Sequence, residues 1–182
     1  MQHQSIQQRY EKVAVPKLME MFGYANTLAV PRMTKIVLNV GTGKHVKDKA
    51  FTEHAEKILT AITGQKPLTT FAKKAIANFK IRAGQPVGLK VTLRGKRMDD
   101  FLEKLINVTL PRIRDFHGLS TKGFDKKGNY TMGFKEHTAF PEITSDDIER
   151  LHGLEVTLVM NTQHKQEGEV LLRALNFPLK AT

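Results

Sequence analysis

The chain has 182 residues, 40% hydrophobic and 26% charged, which is the balance of a globular protein able to bury a real core. It contains no cysteine, which excludes disulfides, thiolate metal sites and a cysteine nucleophile, and fits a reducing cytoplasm. Its 29 Lys and Arg against 18 Asp and Glu give a net charge of +11, the usual electrostatic footprint of a nucleic-acid partner.

No apolar run approaches the roughly 18 residues that span a bilayer, so no membrane partner is expected. The polar start, Met1-Gln-His-Gln-Ser5, runs straight into a helical pattern and does not read as a signal peptide. The expected organisation is one domain over 1–182, compatible with two lobes. Its N-terminal half, about 1–98, would bind RNA, and 99–182 would form the C-terminal half.

Ser5 and Gln8 form a capping box that opens a helix. Pro16 breaks that helix or starts a second one, with Leu18, Met21 and Phe22 inward and Gly23 as the stop. Thr34 to Val40 alternates as a strand, with Ile36, Leu38 and Val40 on one face and Lys35, Val37 and Asn39 on the other. Asp48 to Ile62 has the 3.6-residue period of a helix through Phe51, Ala55, Ile58, Leu59 and Ile62, ended by Gly64. Pro67 to Phe71 reads as a short strand. Val87 to Arg94 reads as a longer one whose Leu89, Val91 and Leu93 face the core while Lys90, Thr92 and Arg94 face outward. Asp99 and Asp100 complement the N-terminal dipole of a helix that buries Phe101, Leu102, Leu105, Ile106 and Thr109 and stops at Pro111. Asn129 to Phe134 and Leu154 to Met160 are further strands, Thr144 to Asp147 caps a short helix, and a last helix spans about 164–176. Helices and strands interleaved in this order give an α+β fold. An antiparallel or mixed sheet would carry helices on one face and leave the other to bind RNA.

The charge is unevenly spread. From Lys57 to Met98 there are 42 residues with no carboxylate and ten Lys or Arg, whereas the chain from Asp99 onward carries 13 acidic residues in near balance. A solvated face normally mixes signs, so an unmixed run with apolar and Gly-Pro punctuation points to phosphates as the missing counter-charge. Three places within or beyond the run are candidates for contact. The first is the loop 72–86, where Lys73, Lys74, Lys80 and Arg82 surround Phe79, pairing backbone neutralisation with a stacking ring. A span of this length exceeds the roughly 2–5 residues of an ordinary hairpin loop. The second is the sheet face carrying Asn39, Lys90, Thr92 and Arg94, with Gln65 near it; Asn, Gln and Thr read base edges or sugars while Lys and Arg hold phosphates. The third is Pro111 to Gly118 with Lys122, Lys126 and Lys127 after it, where Arg112 and Arg114 clamp RNA or Arg114 simply pairs with Asp115.

Enzyme readings fail on spacing, and no catalytic residue, metal or cofactor is expected. Gly41-Thr-Gly43-Lys44 follows a strand and precedes a helix, but Val46 stands where a dinucleotide fingerprint needs its third glycine, and the P-loop spacing is missing. The seven histidines show no paired metal-ligand spacing, and His54 on its helix reads as a surface residue.

The motifs Phe22-Gly-Tyr24, Val30-Pro-Arg32, Ala61-Ile-Thr-Gly-Gln-Lys66, Ala72-Lys-Lys-Ala-Ile-Ala-Asn-Phe-Lys-Ile-Arg82, Gly84-Gln-Pro-Val-Gly88, Val91-Thr-Leu-Arg94, Leu110-Pro-Arg-Ile-Arg-Asp-Phe116 and Phe140-Pro-Glu-Ile143 occur in order. Over about residues 5–180 the chain resembles the ribosomal protein five family of the bacterial large subunit, which binds 5S rRNA in the central protuberance. The resemblance implies an α+β fold and a 5S rRNA contact through Asn39, Gln65 and Thr92, with Lys66, Lys90 and Arg94 beside them. It implies that the loop bearing Lys73, Lys74, Asn78, Phe79, Lys80, Arg82 and Gly84 reaches P-site tRNA. It further implies that the surface around Arg112, Arg114, His117, Lys126 and Lys127 faces a small-subunit head protein or more RNA, with 23S rRNA and neighbouring large-subunit proteins as other partners. The chain departs from the family pattern at Ala75 and Ala77, where serines are usual, at His117 and at Asp125-Lys-Lys-Gly128. Set against the family pattern, the two alanines lack hydroxyls able to hydrogen-bond RNA.

Overall fold

The computed structural model describes residues 5–45, 48–144 and 150–180, the side chain of Lys44 excepted. The fold is α+β, with a five-stranded antiparallel sheet in the order β2-β3-β1-β5-β4. Its strands are β1 (Met33–Gly41), β2 (Leu68–Phe71), β3 (Pro86–Leu93), β4 (Tyr130–Phe134) and β5 (Leu154–Met160). The chain forms two compact units, one of residues 1–36, 94–132 and 157–182, the other of residues 37–93 and 133–156.

In the first unit, α1 (Ile6–Arg9) runs through a π-helical turn, Tyr10–Ala14, into α2 (Val15–Phe22). The Ser5 hydroxyl accepts from the Gln8 N–H at 3.3 Å, as the capping pattern requires, and Gly23 ends α2 in the left-handed conformation, φ 71°. Of the two readings for Pro16, the second holds: it stands in the first turn of α2. The wide turn ahead of it, closed by Val15 N–H on Tyr10 O, makes room for a ring that an uninterrupted α-helix would clash with. Met21, expected inward, is exposed, whereas Leu18 is fully buried.

Helix α4 (Gly95–Lys104) begins earlier than the acidic pair suggested, capped at Arg94, so Asp99 and Asp100 lie in its second turn and not at its positive end. It continues through a π turn, Leu105–Thr109, and a 3-10 turn, Leu110–Arg112, so Pro111 sits inside helical chain and does not end it. Helix α5 (Lys165–Ala174) packs on the π turn of the N-terminal helix, and α1 packs on α4. Gly168 on α5 is required by close approach, since a Cβ there would meet the backbone of Gly128.

The second unit is built on β3, against which α3 (Lys49–Thr63) packs through Phe51, Ala55, Ile58, Leu59 and Ile62. Asp48 caps α3, its carboxylate accepting from Phe51 N–H at 3.0 Å, and Gly64 closes it at φ 65°. Leu38, Val40, Leu89, Val91 and Leu93 complete the core, following the period-2 alternation read from the sequence. β2 pairs antiparallel with β3, Leu68 opposite Lys90 and Thr70 opposite Gly88. A Cβ on Gly88 would stand 2.9 Å from Val40 O and 3.0 Å from Thr70 Oγ1, so only glycine fits where these strands approach. The cap expected at Thr144 to Asp147 falls largely on 145–149, outside the described residues.

Candidate nucleic-acid interface

The outward face of β3 carries what the alternation placed there. Lys90 is exposed, Thr92 half-buried, and cross-strand Leu68 beside Lys90 is 69% exposed. Gln65, just past the C-terminus of α3, donates its side-chain amide to Thr92 O at 3.3 Å, which brings those two sequence candidates together. Its backbone N–H is held by the Thr63 hydroxyl at 3.3 Å. Asn39 is half-buried on β1, the strand beside β3. Lys66 is exposed and its ammonium lies 3.6 Å from Glu56, a surface pair of little energetic weight that a phosphate displaces readily. Arg94 is exposed but leaves the strand, serving as N-cap of α4 with φ −142°.

The fourteen-residue connection from 72 to 85 is a structured finger. Ile76 and Ile81 exchange backbone hydrogen bonds of 2.9 and 3.2 Å, Ala72 pairs with Gln85 at 2.9 Å, and Gln85 Oε1 accepts from Arg82 N–H at 2.8 Å. Its turn is made by Ala77–Phe79 and by Lys80 in the left-handed conformation, φ 53°, and Gly84 has φ 80°. This scaffold leaves Lys73, Lys74, Asn78, Phe79, Lys80, Arg82 and Gly84 exposed, with Phe79 at 71%. An exposed ring among four cations is the arrangement that stacks on a base or sugar while phosphates are neutralised.

In the first unit, Arg112, Arg114, His117, Lys126 and Lys127 are all exposed. Of the two readings left open for Arg114, the pair with Asp115 is present but loose, 3.9 Å between nearly fully exposed side chains. Asp125 organises the following turn, accepting from the backbone N–H of Lys127 at 2.9 Å and of Asn129 at 2.8 Å. Lys126 and Lys127 are thereby presented at its tip.

The described residues of the glycine-bearing loop after β1 do not make a phosphate cradle. Thr42 N–H is spent on Val87 O at 2.9 Å, and the N-terminus of α3 is already occupied by the Asp48 carboxylate, itself 3.8 Å from Arg150.

Sequence reasoning missed a histidine cluster. His137 and His152 stack with centroids 4.2 Å apart, His54 lies 6.3 and 6.4 Å from them, and His45 stacks on Phe51 at 4.1 Å. His54, read as a surface residue, is half-buried. Burial first, then the neighbouring His137, pushes the His152 imidazole down to about 4, and its Nε2 is buried without a hydrogen-bond partner. No group of metal-ligating side chains occurs among the described residues. The cluster borders a cleft of about 830 Å³ that Asn39, Phe79, Gly133 and Glu155 also line. Four histidines from four separate segments leave no spacing signal.

A family model described as "Ribosomal protein L5" matches residues 26–82, and a second, describing the C-terminus of the same ribosomal family, matches residues 86–179. The chain belongs to the ribosomal protein L5 family. It is 51% identical over 171 residues to the large ribosomal subunit protein uL5 of Colwellia psychrerythraea, covering 94% of each chain. With the uL5 protein of Shewanella denitrificans it shares 49% over 172 residues, 94% of this chain and 96% of that one. The L5 family is structural and not enzymatic. No described helix is long and apolar enough to cross a membrane.

Proposed function

We propose that this L5-family chain, a structural constituent of the large subunit of the cytoplasmic ribosome, anchors 5S rRNA through the outward face of its sheet. In this reading Asn39, Gln65 and Thr92 discriminate the RNA through base and sugar contacts, and Lys66, Lys90 and Arg94 hold its phosphates. The RNA-binding function is concentrated in about residues 1–98. The finger 72–85 contacts P-site tRNA, and the surface from Arg112 to Lys127 meets a small-subunit head protein or further RNA, with 23S rRNA and adjacent large-subunit proteins as neighbours.

The observation that carries the reading is the acid-free stretch from Lys57 to Met98. Its polar face couples Gln65 to Thr92 through a hydrogen bond of 3.3 Å, which holds two readers in fixed relation before RNA arrives. Preorganisation of that kind reduces the side-chain entropy lost on binding. The separate finger, with its exposed Phe79, offers sequence-tolerant stacking and suits a partner recognised by shape.

The division of labour is testable by substitution. Asn39→Ala or Thr92→Ala should reduce the preference for 5S rRNA over an unrelated RNA by roughly tenfold or more, about 1–3 kcal/mol for a lost specific contact. Lys80→Ala should leave 5S rRNA affinity nearly unchanged. Loss of 5S rRNA binding on Lys80→Ala, with Asn39→Ala silent, would reverse the assignment.

A further inference from the structure

We propose that the cleft beside Asn39 is a binding pocket for an unstacked guanine base, with Glu155 as the group that selects it. The inference rests on the RNA-binding reading above for one of its two possible sources of guanine.

The cleft has a bare backbone floor. A Cβ added at Gly41 or at Gly133 would meet nothing within 4 Å, so both strands present open peptide surface where other residues would stand up. Such a floor accepts a flat ring lying against it. Two rings stand beside it, the exposed Phe79 of the finger and His45, the latter already stacked on Phe51 at 22° between planes. The finger reaches the cleft at Ile81, whose Cδ1 would lie 3.8 Å from a Cβ on Gly43.

Its polar groups define the ligand. Glu155 is exposed and Asn39 half-buried, and neither side chain has a hydrogen bond or ion pair among the described residues. No Lys or Arg is among the described residues lining the cleft, although the chain carries 29 of them. The Glu155 carboxylate repels a phosphate and favours a group that donates hydrogen bonds. A carboxylate offers two acceptor oxygens and no donor. Guanine alone among the common bases presents two adjacent donors, N1–H and the N2 amino group, that match both oxygens at once. Adenine and cytosine place a ring acceptor beside their amino group, and uracil flanks its single N–H with two carbonyls, so each sets a lone pair against Glu155. The Asn39 amide supplies the donor that a guanine carbonyl requires.

The test uses the full chain, with guanosine, inosine and adenosine 5′-monophosphates titrated by NMR to millimolar concentration, and with 5S rRNA. Guanosine monophosphate should shift the amides of Gly133 and Glu155. Inosine monophosphate, which lacks the N2 amino group, should bind severalfold more weakly and adenosine monophosphate at least tenfold more weakly. Glu155→Gln should abolish the preference, and Gly133→Val, whose Cβ meets no neighbour in the fold, should abolish binding without lowering the melting temperature. Reduced 5S rRNA affinity in both variants, with competition by guanosine monophosphate, identifies an RNA guanine as the occupant. Nucleotide binding that leaves 5S rRNA affinity unchanged identifies the free nucleotide. Equal shifts from guanosine and adenosine monophosphates, or none from either, together with unchanged 5S rRNA affinity in both variants, overturn the pocket and leave the 5S rRNA reading standing. Failure of that reading is a different result, in which the unsubstituted chain binds 5S rRNA no better than an unrelated RNA.

Discussion

Lowering the pH from 7 to 5 should destabilise the fold through His152. The ring is buried, stacks on His137 at 4.2 Å, faces His54 at 6.4 Å and the edge of Phe51 at 6.1 Å, and leaves Nε2 without a partner. Its Nδ1 lies 3.5 Å from Arg150 O, and the Asp48–Arg150 ion pair borders the same segment. Burial, then the neighbouring His137, lowers its pKa from 6.5 to about 4. The folded value lies below the unfolded one, so on acidification the unfolded chain takes up this proton first. The contribution of the neutral ring is complete above about pH 6.5 and is lost progressively down to about 4. Integrated over that window, the loss between pH 7 and 5 is about 2 kcal/mol. Urea unfolding at the two pH values, compared between the native chain and His152→Phe, which retains a ring for stacking, measures it directly. The variant should show a loss smaller by about this amount. Equal pH dependence in both proteins would refute the assignment of a buried neutral imidazole.

Gly88→Ala forces a Cβ to 2.9 Å from Val40 O and should cost about 1–3 kcal/mol in urea unfolding, whereas Gly133→Ala, facing open space, should cost far less. Gly168→Ala drives a Cβ into the Gly128 backbone and should lower the melting temperature more than Gly88→Ala does. Replacing Lys73, Lys74, Lys80 and Arg82 together by Ala should weaken P-site tRNA retention on assembled ribosomes, read by tRNA dissociation rate, without releasing 5S rRNA. An unchanged dissociation rate would remove the finger from the tRNA contact.

Much of the fold was legible because strand alternation and helical period are local signals. Leu89, Val91 and Leu93, and Phe51, Ala55, Ile58, Leu59 and Ile62, are buried as their spacing required. The starts and stops of α4 were not. Its first turn carries Gly95, Lys96 and Arg97 with no side-chain cap, so the acidic pair that resembles a helix start lies a turn too late. Pro16 stands in the first turn of α2, one of its two expected places, whereas Pro111 is carried by a 3-10 turn that runs one residue past it and absorbs the missing N–H in a way that spacing does not announce. At the site, Lys90 and Thr92 followed from alternation, and the finger from its length and charge. The cleft did not, because Glu155 lies more than a hundred residues from Asn39 in sequence and only the adjacency of β1 and β5 brings them to one pocket.

Selective recognition of 5S rRNA would lie in the outward sheet face that carries Asn39, Lys90 and Thr92. It is tested most directly by competition of 5S rRNA against an unrelated structured RNA of equal length at physiological salt, repeated across a salt series. A preference of at least tenfold for 5S rRNA is expected, reduced by Asn39→Ala and Thr92→Ala. The log affinity should also fall with log salt by about 0.7–0.9 per phosphate neutralised. Equal affinity for the two RNAs, with the same salt slope, would show a basic surface without recognition and contradict it.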